Sequence, residues 1–162
     1  MKKLTVILLM ISFLFSLVSC SEKLKTEDNM TLDNCAIKLS VNNKSSTNYD
    51  ITPKNFDLEK LEKKGYKMEI NVSYDVYFKK DWQINLGYAG APKYEVSIVS
   101  TNGMEKYDKS TSNSTERESK TLTFSANVSE LKNAGLTLTF STENIQNIIY
   151  FENIKVSYRC YE

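Results

Sequence analysis

The chain contains no histidine, and that single absence removes several chemistries. A Ser-His-Asp triad, a Cys-His pair and any His-containing zinc site are excluded. Acid–base work would fall to carboxylates, lysines or tyrosines. Proline and glycine are scarce, at 2 and 5 among 162 residues, which excludes collagen-like and proline-rich classes. Neither sign of charge dominates, since 21 Lys and Arg face 20 Asp and Glu. A nucleic-acid partner would want a clustered basic face, so none is expected. Tyrosine and phenylalanine are plentiful, at 10 and 7, as is common in strands.

The N-terminus carries the clearest local signal. Met1-Lys2-Lys3 is a short positive start, and Leu4 to Phe15 is an apolar run broken only by Thr5 and Ser12. A membrane-spanning helix needs about 20 apolar residues, so this run is short for that role and reads as a cleaved export signal. It ends in Leu17-Val18-Ser19-Cys20, which resembles the bacterial lipobox. The resemblance implies that Cys20 is lipidated and becomes the mature N-terminus, anchored at a cell membrane or outer membrane and facing outside the cytoplasm. Two or more acyl chains give stable anchoring where one gives marginal binding. An ordinary signal peptide with a chance cysteine is the alternative. No Asp follows Cys20 directly, which in enterobacterial sorting leaves the outer membrane open. Residues 21–33 are polar, mixed in charge and aperiodic, and predict a flexible tether. The chain thus divides into a signal at 1–19, a lipidated Cys20 with tether over 20–33, and one domain over 34–162.

Cys35 and Cys160 bracket that domain in a disulfide-permissive location. Cys35 shares parity with Ile37, Leu39 and Val41, and Cys160 with Ile154, Val156 and Tyr158. Antiparallel pairing of the first and last strands would bring the two together, so a Cys35–Cys160 disulfide is expected. Closing that loop of 125 positions would stabilise by roughly 4–5 kcal/mol on the entropic model. The alternative is two separate buried thiols.

Period-2 alternation organises the rest. Tyr66, Met68, Ile70, Val72, Tyr74, Val76 and Phe78 share one face of a long strand, with polar residues and Tyr77 on the other. Residues 94–98, 122–126 and 136–140 repeat the pattern, and 82–88 fit a further strand. In 148–160, Ile149 and Phe151 are out of phase with Ile154, Val156 and Tyr158, which predicts a bulge near Glu152-Asn153. Asp57 to Gly65 predicts two helical turns, and Val128 to Ala134 one more. Residues 42–54 read as a polar crossover, Thr101-Asn102-Gly103 as a hairpin turn with Asn-Gly supplying positive φ, and 108–120 as a mobile loop. About eight short strands argue for an all-β antiparallel sandwich of jelly-roll type with one or two short helices. The order of elements resembles the galactose-binding-like jelly rolls of many carbohydrate-binding modules. In those, a short helix, here 57–65, leads to a long strand, here 66–80, and a final strand, here 147–160, closes the sheet.

Solvent-side aromatics are the best pointer to a ligand surface, and Tyr77, Trp82 and Tyr88 are the candidates. Against this, Trp82 and Tyr88 can be core residues and Tyr77 can fill a cross-strand pair. Asn42, Asn43, Asn48, Asp50, Asn55 and Asp57 offer oxygen ligands for a structural calcium, though without EF-hand spacing. No other metal or cofactor is expected. No carboxylate pair stands out for glycoside hydrolysis, so an enzyme is not expected. The reading is a lipid-anchored, non-catalytic binding domain with a glycan or protein partner. The alternative is a structural or accessory envelope protein that binds another protein and no small molecule.

Overall fold

The computed structural model describes residues 24–38, 45–78, 93–111, 116–143 and 148–162. Nine strands and two short helices are found among them: β1 (Glu27–Thr31), β2 (Cys35–Lys38), β3 (Ser45–Asp50), α1 (Leu58–Lys63), β4 (Lys67–Phe78), β5 (Lys93–Ser100), β6 (Glu105–Thr111), β7 (Glu118–Asn127), α2 (Val128–Leu131), β8 (Leu136–Glu143) and β9 (Ile148–Tyr161). The strands form two antiparallel sheets. One has the order β2-β9-β4-β7, with β1 also pairing β9, and the other β3-β8-β5-β6. Chain neighbours such as β2 and β3, or β8 and β9, lie in opposite sheets, which is the jelly-roll arrangement.

Alternation produces the sandwich directly. In β4, Met68, Ile70, Val72, Tyr74, Val76 and Phe78 are buried while their odd-numbered neighbours are not. An aromatic cluster joins the sheets at the centre. Tyr74 and Phe151 from the first meet Phe140 and Tyr94 from the second, with Phe140 and Phe151 only 4.6 Å apart at their centroids.

β9 slips phase where its alternation breaks. Ser73 pairs Lys155, yet Asp75 pairs Glu152, so β9 spends one extra residue there. Asn153 adopts φ 52°, a left-handed conformation that Asn tolerates better than most residues. The bulge lets Phe151 and Ile154 both face the core.

α1 starts at Asp57, whose side chain accepts from the Lys60 amide at 3.0 Å. Gly65, at φ 74°, ends it, and Leu61 is the buried residue. At the hairpin, Gly103 takes φ 89° but Asn102 is not left-handed. The Gly103 amide donates to the Ser100 carbonyl at 3.1 Å and the Ser100 amide to that of Met104 at 2.8 Å. This is a three-residue turn with glycine alone in the left-handed position, not the two-residue Asn-Gly form.

Several segments differ from the sequence expectation. Residues 27–31, expected as tether, are β1 and pair with Lys155–Arg159 of β9. Residues 45–50, expected as crossover, are β3. Residues 105–111 form β6, and β7 begins at Glu118, so most of the expected 108–120 loop is strand. The 82–88 strand lies outside the described residues.

The expected Cys35–Cys160 disulfide is not formed, and both thiols are free. Cys35 sits opposite Phe151, near the start of β9, whereas Cys160 lies near its end and pairs Met68. Nine residues of strand separate those positions, roughly 30 Å at the usual rise. A disulfide tolerates only about 7 Å between Cα atoms. The reason is β1, which occupies the place beside Cys160 that the parity argument gave to β2. The Cys160 amide donates to the Thr26 carbonyl at 2.7 Å.

Candidate functional site

Among the described residues, a side-chain network covers the outer face of the first sheet where β2, β4, β7 and β9 run together. Tyr77 on β4 and Tyr150 on β9 are register partners. Their rings stack with centroids 5.1 Å apart and planes 13° apart. The Arg117 guanidinium lies over the Tyr77 ring, 5.2 Å from its centroid. Glu152, two residues along β9, accepts from the Tyr77 hydroxyl at 2.7 Å and pairs with Arg117. Alternation puts Tyr77, Tyr150 and Glu152 on one face because the residues flanking them, Val76, Phe78, Ile149 and Phe151, are core.

Asp75 sits in the adjoining row, opposite Glu152. It accepts from the Ser119 hydroxyl at 2.6 Å and from the Asn153 amide nitrogen at 2.7 Å. Those two bonds, with Arg117 and Lys155 near, hold the Asp75 carboxyl below its ordinary range. The Glu152 carboxylate, as acceptor, raises the Tyr77 phenol. Tyr77 and then Glu152 raise the Arg117 guanidinium.

Two neighbouring carboxylates invite a test of glycoside hydrolysis, which needs one acid kept protonated near neutral pH. Asp75 is stabilised as the anion, the opposite of what a proton donor requires. Glu152 is engaged by a phenol and a guanidinium.

Of the sequence candidates, Tyr77 lies in this cluster and fills a cross-strand pair. Trp82, Tyr88 and Cys20 lie outside the described residues. Tyr150, Arg117 and Glu152 were not anticipated. Tyr150 could have been, since it stands between core residues Ile149 and Phe151 and so must face outward. The oxygen-bearing residues of the 42–57 segment do not converge. Asn42 and Asn43 are outside the described residues, and Asn48 is exposed on β3. Asp50 accepts from Thr52 and Lys54, Asn55 donates to Asp28 at 2.9 Å, and Asp57 caps α1. Among the described residues, no three His, Cys, Asp or Glu side chains gather as a metal would need. The free thiols are held protonated by burial, which raises Cys35 and pushes Cys160 up to about 11.

No protein-family model matches the chain, and no curated protein sequence matches it. Solved structures do resemble it. A family 16 carbohydrate-binding module aligns with a TM-score of 0.42 at 12% identity, covering 78% of this chain and 76% of that one. A broad bean stain virus structure aligns with a TM-score of 0.42 at 13% identity, covering 88% and 90%. A structure of infectious bursal disease virus Gt strain aligns with a TM-score of 0.45 at 6% identity, covering 85% of this chain, which spans 33% of that one.

Proposed function

We propose that this chain is a cell-envelope lipoprotein whose β-sandwich is a non-catalytic binding domain with a carbohydrate ligand. The observation that carries the ligand half is the Tyr77–Tyr150 stack on an outer sheet face, edged by Arg117, Glu152, Asp75 and Ser119. Ligand sites combine apolar and aromatic surface with a few placed polar groups. Sugar rings ask for that combination, with apolar C–H faces against aromatic rings and hydroxyls against carboxylates and amides. The anchor half rests on the Leu17-to-Cys20 lipobox, which makes a membrane the first partner.

A glycan array probed with the detergent-solubilised chain tests the ligand. Selective binding that Tyr77→Ala and Tyr150→Ala weaken at least tenfold is the expected result, and an array with no retained glycan rejects it. Metabolic labelling with a palmitate analogue tests the anchor. Label should be lost in Cys20→Ser, and label that persists rejects the assignment.

One observation favours the alternative, a structural or accessory envelope protein bound to another protein. Tyr77, Arg117 and Glu152 satisfy one another, as a cross-strand strut without a ligand would. One dominant protein co-purifying from crosslinked membranes, together with a blank array, would select that reading.

A further inference from the structure

We propose that a neutral sugar ring seats over Ala36, against the face of Tyr150 that Tyr77 leaves uncovered. This seat rests on the carbohydrate reading and specifies where and in what chemical form the ligand binds.

The stack runs across the strands. Ala36, Tyr150 and Tyr77 are successive register partners on β2, β9 and β4, and Arg117, just before β7, covers the outer face of Tyr77. Planar groups therefore follow one another at 5.2 and 5.1 Å, close to the spacing of neighbouring strands. Three rungs are filled by a guanidinium and two phenol rings. At the fourth rung, β2 presents an exposed methyl group. Among the described residues, Tyr77 is the one ring stacked on Tyr150, and none fills the position next to Tyr150 that a ring on β2 would take. Both faces of Tyr77 are covered, so among the described residues Tyr150 is the ring of this pair with a face to offer.

The adjoining row supplies polar groups of both kinds. Asn34, two residues before Ala36 on the same side, uses its Oδ1 to accept from the Asn153 amide at 2.9 Å. That bond holds the exposed side chain, whose Nδ2 carries two N–H groups able to donate. Glu152 accepts one bond at each oxygen from Tyr77 and Arg117 and retains lone pairs for a hydroxyl. An apolar ring face beside a fixed donor and a fixed acceptor matches a pyranose. The charges decide between neutral and acidic sugars. Arg117 pairs with Glu152, and Arg117 and Lys155 lie near Asp75, so among the described side chains of this cluster two cations face two carboxylates, which favours a neutral sugar over an acidic one.

The test uses the detergent-solubilised full chain on an array of neutral and acidic glycans, with Ala36→Phe, Ala36→Ser and Tyr150→Val beside the wild type. Ala36→Phe fills the fourth rung from within, and its urea midpoint should match or exceed that of the wild type because the new ring stacks on Tyr150. Neutral glycans should be retained by the wild type and by Ala36→Ser, and weakened at least tenfold by Ala36→Phe and by Tyr150→Val. Neutral binding that survives Ala36→Phe overturns the seat and leaves the carbohydrate reading standing. Retention of acidic glycans alone overturns the neutral assignment. A blank array removes the carbohydrate reading and the seat together.

Discussion

Asn153 holds the bulge that reconciles the two halves of β9. It takes a left-handed φ of 52°, donates to Asp75 through its side chain and to Asn34 through its backbone. Asn153→Ala keeps neither the conformational tolerance nor the Asp75 bond, and should cost about 1–2 kcal/mol. Asn153→Gly relieves the backbone and loses only the bond, so urea midpoints should rank wild type, then Gly, then Ala. Asp50 gives a pH-dependent test. Its carboxylate accepts from Lys54 and from the Thr52 hydroxyl and amide, and its pKa is drawn down to about 2. A folded-state pKa below the unfolded value means the stabilisation is present above the ordinary aspartate range and is lost as pH falls through the folded value. Stability should therefore drop between about pH 4 and pH 2, and Asp50→Asn should flatten that part of the urea-midpoint profile. The effect is small because both partners are largely exposed.

At the scale of elements, the strands that sequence alternation missed are β1, β3 and β6, and each lies at a sheet edge. An edge strand buries little and carries polar residues that discourage edge-to-edge pairing, so it lacks the apolar alternation that reveals a central strand. β1 is Glu-Asp-Asn-Met-Thr, with Met30 as its one apolar residue against the core. A chain beginning at residue 34, the domain start that alternation suggests, would lose β1 and uncover Lys155–Arg159 of β9. It should be less stable by at least about 2 kcal/mol, the burial value of one large apolar side chain, than one beginning at residue 24, by urea denaturation. The same strand explains the cysteines. Cys35 and Cys160 should each take up one alkylating group after unfolding without reductant, read by intact mass. Uptake that requires prior reduction would restore the disulfide.

At the scale of the whole molecule, the two sheets close over one apolar core with an aromatic cluster at its centre. Phe151 touches Tyr74, Tyr94 and Phe140, so it bridges strands of both sheets. Phe151→Ala should cost about 3–5 kcal/mol, among the largest single losses in the protein, measured by urea or thermal unfolding. Phe140→Ala should not add fully to it, because the two rings share one cavity. The outer-face stack sits on the same strands as this cluster, with Tyr150 next to Phe151 and Tyr77 next to Phe78. A rigid core beneath the stack would keep the cost of ordering low for the ligand proposed to bind there.

Features that depend on neighbours along the chain are legible in the residues alone. They cover the sandwich class, the long β4, the capped α1, the phase slip in β9 and the outward direction of Tyr77, because period, caps and bulges are local. Which strands meet is settled by the packing of the two sheets. It put β1 rather than β2 beside Cys160, and it brought Arg117, Tyr150 and Glu152 to Tyr77 from positions 40 to 75 residues away in the chain. Pairing between distant strands is set by how two sheets close over a shared core, and polar edge strands leave almost no trace of that choice in their own residues.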